Sequence, residues 1–246
     1  EFVGREQPEV YSADVSLFVL DAGLRLLERE RPDFMYLSLS DYVQHKHAPG
    51  RSESNAFYRA LDTRLGQFAA AGALVAVTAD HGMNFKPRVI FLQDILDMQY
   101  GSGTTRVICP ITDPYVVHHG ALGSFVRVYC QSPEPERLQA LIHDLDGIAT
   151  VYRREEACAR FDLPADREGD LVVIGDRETA IGTTQAEHDL SDLGDSPLRS
   201  HGGTAEQTVP FILSERLSDA YTDRASSQPL RNFDLLDYAL NGMREG

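Results

Sequence analysis

The 246-residue chain carries 38 acidic against 23 basic side chains, a formal charge of −15, which argues against a nucleic-acid backbone or an anionic membrane surface as its main partner. Its length allows a buried core without disulfide staples, and its 42% hydrophobic and 25% charged content is that of a folded soluble protein. No apolar run approaches the roughly 18 residues needed to span a bilayer. Cys109, Cys130 and Cys158 form neither a CxxC pair nor a disulfide framework, so idle thiols in a reducing compartment, and hence a cytoplasmic location, are expected.

Residues 13–31 carry apolar side chains at helical spacing (Val15, Phe18, Val19, Ala22, Leu26) and run into Pro32, which predicts a helix. Residues 34–39, FMYLSL, read as a short buried strand. A second helix is expected from Glu53 to Ala71, with Phe57, Ala60, Leu61, Leu65 and Phe68 on one side and Gly72 as its C-cap. The near-continuous apolar run 73–79, ALVAVTA, has the pattern of a central parallel strand. Helix, strand, helix, strand in this order implies a parallel sheet with helices on its faces. After Gly101, strand-like runs at 105–111, 124–130, 148–152 and 171–175 alternate with helix-like stretches at 134–146 and 154–162. That rhythm suggests a small α+β layer of ferredoxin-like type. The Asp-, Gly-, Thr- and Ser-rich stretch 176–200 reads as loop, TVPFIL at 208–213 as a core strand, and 232–242 as a terminal helix. The expected organisation is a core over 1–103 and 193–246, interrupted by an inserted α+β cap over 104–192.

Three short motifs carry chemistry. Asp41 and His45 are four residues apart, so one helical turn places both on one face. Asp80-His81-Gly82 follows the apolar run 73–79, the C-terminal strand end where open α/β sheets place their sites. His201-Gly202-Gly203 precedes the run TVPFIL. Two Asp and three His form a mixed donor set suited to zinc at open, catalytic positions. Two such ions a few Å apart would clamp a phosphoryl group and activate a nucleophile. His47 reads as a solvated loop histidine, and one of the adjacent His118 and His119 is a candidate substrate contact.

The combination Asp41…His45, Asp80-His81 and His201 resembles the alkaline phosphatase superfamily of two-metal phosphoryl-transfer enzymes. Longer segments resemble its phosphonoacetate hydrolase family: SDYVQHKHAPG at 40–50, NAFYRALD at 55–62, TADHGMN at 78–84 and ITDPYVVHHGALGSF at 111–125. The resemblance implies an alkaline-phosphatase-like α/β core, mainly parallel and flanked by helices, with a small α+β cap. It further implies two Zn2+ and a small anionic phosphonate substrate, with hydrolysis of the carbon–phosphorus bond of phosphonoacetate to acetate and phosphate. Asp41, His45 and His201 correspond to one zinc's ligands, and Asp80 and His81 to part of the other's set. The remaining Asp, a threonine nucleophile and the substrate-binding lysines and asparagine are expected upstream of Asp41, where nothing in residues 1–40 matches them. The sequence therefore reads as a C-terminal portion, without the N-terminal part of the core, with no catalytic nucleophile and negligible activity by itself. A shortened loop is expected at Lys86-Pro87, and a homodimer is the assembly considered. Expelling carbon is the difficult step of such a reaction, and cations near the leaving group would stabilise the developing negative charge. A nucleotide pyrophosphatase/phosphodiesterase of the same superfamily, sharing these ligands, and a non-catalytic metal-binding domain are the alternatives.

Overall fold

The computed structural model describes residues 2–111, 119–132, 134–194 and 196–244. In chain order its first elements are α1 (Ala13–Glu30), α2 (Tyr42–Lys46), α3 (Ser52–Ala70), β1 (Ala76–Thr78), β2 (Asn84–Phe85), β3 (Arg88–Phe91), α4 (Leu92–Tyr100) and β4 (Thr105–Ile108). Then come β5 (Phe125–Cys130), α5 (Pro135–His143), β6 (Ile148–Arg153), α6 (Arg154–Phe161), β7 (Leu171–Gly175) and β8 (Thr179–Gly182). The last are β9 (Arg199–Ser200), β10 (Phe211–Leu213), α7 (Asp219–Ser227) and α8 (Asp234–Asn241). The chain divides into two compact units, Glu1–Asp80 with Val209–Gly246, and His81–Thr208. The expected cap segment, 104–192, lies wholly within the second. Among the described residues, no helix is long and apolar enough to cross a membrane.

In the first unit α1 and α3 form at the predicted periodicities. They are tied by the Asp21 carboxylate, which accepts from Arg64 Nε at 2.6 Å and Nη2 at 3.1 Å, and from Arg5 Nη2 at 3.0 Å. Burial alone would raise the Asp21 carboxyl, but the hydrogen bonds and charges of Arg64 and Arg5 outweigh it and hold the group below its usual range. A carboxyl whose folded pKa is depressed stabilises fully above its unfolded value and loses that contribution as pH falls through the folded one. Asp21→Asn should therefore cost about 1–2 kcal/mol at neutral pH. The gap from wild type should begin to narrow below about pH 4, as urea unfolding at pH 7 and pH 3 would show.

The run 34–39 is not a strand. Phe34 and Tyr36 are 59% and 81% exposed, and the segment enters no ladder among the described residues. What holds it is local packing: Leu37 lies so close to Gly23 of α1 that a Cβ there would stand 2.7 Å from its Cδ1. At its end the Ser40 N–H donates to the Ser16 hydroxyl at 3.0 Å, and that hydroxyl donates to the Ser40 carbonyl at 3.2 Å. The run 73–79 contributes only the three residues of β1, paired antiparallel with β10 from Ala76↔Leu213 to Thr78↔Phe211. A parallel partner was expected; an apolar run specifies burial but not the direction of its neighbour. Tyr238 of α8, fully buried, meets Phe211 of β10 and Tyr221 of α7 edge to face, with centroids 5.3 and 5.0 Å apart.

The second unit is built on a four-stranded antiparallel sheet of order β4-β5-β7-β6. The small α+β layer is present, but its element order is ββαβαβ and not the βαββαβ of a ferredoxin-like layer. All five residues of β7, LVVIG, are buried, because both faces of the sheet are covered. Leu171 and Val173 join Leu92, Leu96, Leu138 and Ile142 in one core, and Val172 and Ile174 pack with Ala157, Tyr152 and Phe161 in another. The stretch 176–200, read as loop, contains β8, whose four residues are buried and pair in parallel with β3. Its turn-forming neighbours masked a strand of only four residues. Cys109 is buried, and burial pushes its thiol up to about 11; Cys130 is raised to about 11 for the same reason. Neither forms appreciable thiolate at neutral pH, as expected of idle cysteines.

Candidate metal centre

Asp41 caps α2 at its N-terminus, and the His45 N–H closes the first turn onto the Asp41 carbonyl at 3.1 Å. That single turn brings Asp41 Oδ2 to 3.1 Å from His45 Nε2, as the four-residue spacing predicted. Two donors on one tetrahedral zinc, each about 2.1 Å from the ion, stand about 3.4 Å apart. The observed separation is close to that, so the pair fits a shared ion without a change of backbone.

Asp80 lies two residues past β1. The approach to it is held by Thr78 Oγ1 donating to the Pro210 carbonyl at 2.9 Å and Asn232 Nδ2 donating to the Ala79 carbonyl at 3.3 Å. With Asp80 the first unit's leading segment ends, and His81 opens the second unit. The His81 Nδ1–H donates to the Gly82 carbonyl at 3.0 Å. In the neutral ring this places the lone pair on Nε2, the arrangement by which a ligating histidine is usually oriented.

His201 immediately follows β9, which pairs with β2 as Asn84↔Ser200 and Phe85↔Arg199. Its carbonyl accepts the Ser124 N–H at 2.8 Å. The rings of His81 and His201 stack with centroids 3.5 Å apart and planes 7° from parallel. Two glycines make this approach possible. Gly82 donates its N–H to the Glu206 carbonyl at 2.6 Å, and a Cβ there would stand 3.2 Å from that same oxygen. Gly202 has φ +102°, a conformation in which an L side chain is strained. Gly202→Ala should cost about 1–3 kcal/mol, read as a lower urea midpoint at unchanged slope.

Of the sequence-predicted residues, Asp41 and His45 are thus brought together in the first unit and His81 and His201 in the second. His118 lies outside the described residues. Of His119 only the backbone is described, opening a 3-10 turn at His119–Ala121. Sequence reasoning gave no role in the site to three residues, Asn84, Lys86 and Glu206. Glu206 Oε1 accepts from Asn84 Nδ2 at 2.6 Å and Lys86 Nζ at 2.9 Å, and Oε2 accepts from the Gly203 N–H at 2.9 Å. Lys86 also donates to the Arg177 carbonyl at 2.9 Å.

Comparison with known proteins places the chain. A family model described as type I phosphodiesterase / nucleotide pyrophosphatase matches residues 8–204. The chain belongs to that family. Its mixed α/β architecture is the alkaline-phosphatase-like one of type I phosphodiesterases. Within the family it is similar to the phosphonoacetate hydrolase of Sinorhizobium meliloti 1021. In that enzyme's complex with phosphonoformate the identity is 48% and the TM-score 0.89, over 98% of this chain and 59% of that chain. In the complex with phosphonoacetate the values are 46% and 0.87 over the same shares. A phosphonoacetate hydrolase from Penicillium oxalicum is 71% identical over 28 residues, 11% of this chain and 39% of that sequence. Murine ectonucleotide pyrophosphatase / phosphodiesterase 5 shares the fold at 20% identity and a TM-score of 0.54, over 86% of this chain and 54% of that one. The chain therefore spans less than two thirds of the length of the relatives it matches.

Proposed function

We propose that this protein hydrolyses the carbon–phosphorus bond of phosphonoacetate, giving acetate and phosphate. The observation that carries the reading is the 46–48% identity, sustained over 98% of the chain, to an enzyme whose structures hold phosphonoacetate and phosphonoformate. Asp41, His45 and His201 are assigned to one Zn2+, and Asp80 and His81 to a second. The Asp41–His45 separation and the His81 tautomer support that assignment, as do the oxygen and nitrogen donors, which suit zinc.

Bound zinc would supply positive charge for the phosphoryl oxygens and lower the pKa of the attacking group. The residues of this chain would hold that charge in place: the carboxylates would offset part of it, and the His81 ring, held by the Gly82 carbonyl, would aim its lone pair at it. A threonine nucleophile belongs to the same reading and is expected upstream of these residues. One of His118 and His119, in the inserted cap over 104–192, is the candidate substrate contact. A homodimer, checked by sedimentation velocity, and a cytoplasmic location, which suits three separate thiols, complete the proposal.

The test is zinc-dependent release of phosphate from phosphonoacetate by the intact protein. Turnover that stops with a chelator and returns with Zn2+ supports the reading. If phosphonoacetate is inert while a nucleotide phosphodiester is cleaved, the protein is instead a nucleotide pyrophosphatase. Zinc uptake without turnover of either substrate would leave a metal-binding domain.

A further inference from the structure

Lys86 and Glu206 are 1% and 2% exposed, and they form a charged pair between segments 120 residues apart. Such a pair is a weak source of net stability, because desolvating both charges offsets most of their attraction. Apolar side chains of similar volume would fill the space as well. What apolar groups could not do is hold two loops at once. Glu206 bonds Gly203, two residues after His201, and Asn84, three after His81; its carbonyl takes the N–H of Gly82, the residue after His81. Lys86 fastens the carboxylate from the β2 side and the Arg177 carbonyl beyond it.

We propose that the buried Lys86–Glu206 pair, with Asn84, is a positioning device that fixes His81 and His201 at their close spacing before any ion arrives. Neither Lys86 nor Glu206 touches substrate in this role; they act through the two imidazoles. The inference rests on the zinc reading above, since it is the histidines' fitness as ligands that the pair would set.

The experiment measures Zn2+ affinity, by competition with a chromophoric chelator, and urea stability in parallel. It uses the intact protein and its Glu206→Gln, Lys86→Met and Glu168→Gln variants. Glu168 is the control. It is 4% exposed and paired with Arg127 at 2.7 Å, and among the described residues it bonds no segment next to a histidine of the centre. Glu206→Gln and Lys86→Met should weaken Zn2+ binding by about 10- to 100-fold, the usual effect of removing a partner that orients a ligand. Glu168→Gln should lose stability and bind Zn2+ as the wild type does. Unchanged affinity in Glu206→Gln and Lys86→Met, with only a lower urea midpoint, would overturn the proposal and leave the zinc reading standing. Wild-type protein that takes up no Zn2+ would overturn the zinc reading itself, and this inference with it. Should the buried variants fail to fold, Asn84→Ala carries the test. It removes the 2.6 Å bond from a partly exposed position, and wild-type affinity in that variant would overturn the proposal.

Discussion

On the proposed reading, replacing His201 with alanine in the full-length protein should lower phosphonoacetate turnover on the order of a thousandfold, the kinetic equivalent of losing several kcal/mol of charge stabilisation at the phosphoryl group. The zinc content, measured on the dialysed protein by atomic emission, should fall with it. The urea midpoint should move little, because His201 is only half-buried and its backbone bond to Ser124 survives the change. His47 provides the contrast: it follows α2 two residues after His45, its backbone N–H donates to the Val43 carbonyl at 2.8 Å and its carbonyl accepts from the Ser54 hydroxyl at 2.9 Å. His47→Ala should leave both turnover and zinc content within about twofold of wild type. Lost turnover with a full complement of zinc would show that His201 acts on substrate and not as a ligand.

The largest stability effect is expected from Lys86→Met. The change leaves the Glu206 carboxylate buried, with Asn84 and the Gly203 N–H but no cation, and breaking a buried pair by removing one partner costs about 3–5 kcal/mol. Methionine fills the lysine's volume, so the loss would report charge and not a cavity. Lys86→Met/Glu206→Gln should be less destabilised than the sum of the single changes, since each removes what made the other costly. Additive losses in urea unfolding would mean that the two side chains do not act as a pair.

The helices that were legible in the sequence were those with long apolar stripes, α1 and α3, and the strands of the second unit that alternate or are wholly apolar. Helices α4 and α7 went unread. In α4, Leu92 and Leu96 are buried, but the nine-residue helix follows β3 without a break. In α7 no residue is buried, so there is no stripe to find. FMYLSL misled because hydrophobicity was taken for pairing, and a ladder needs a partner that composition does not reveal. The proposed ligand motifs stood out because Asp-x-x-x-His and Asp-His-Gly place metal-ligand types at spacings with a geometric meaning. Lys86 and Glu206 were not: they are ordinary surface types, and only the fold shows that both are interior and that they face each other.

The ladder that brings the two second-unit histidines together is only two residue pairs long, and everything between its strands must be threaded before it can close. Closing a chain loop of that length is entropically unfavourable, and two pairs return little until the intervening structure has already shortened it. The four-stranded sheet, with its two covered faces, can form from segments much nearer in sequence. In refolding, then, the sheet should appear first and the stacked imidazoles last. A chain caught part-way would have most of its secondary structure while His81 and His201 were still apart.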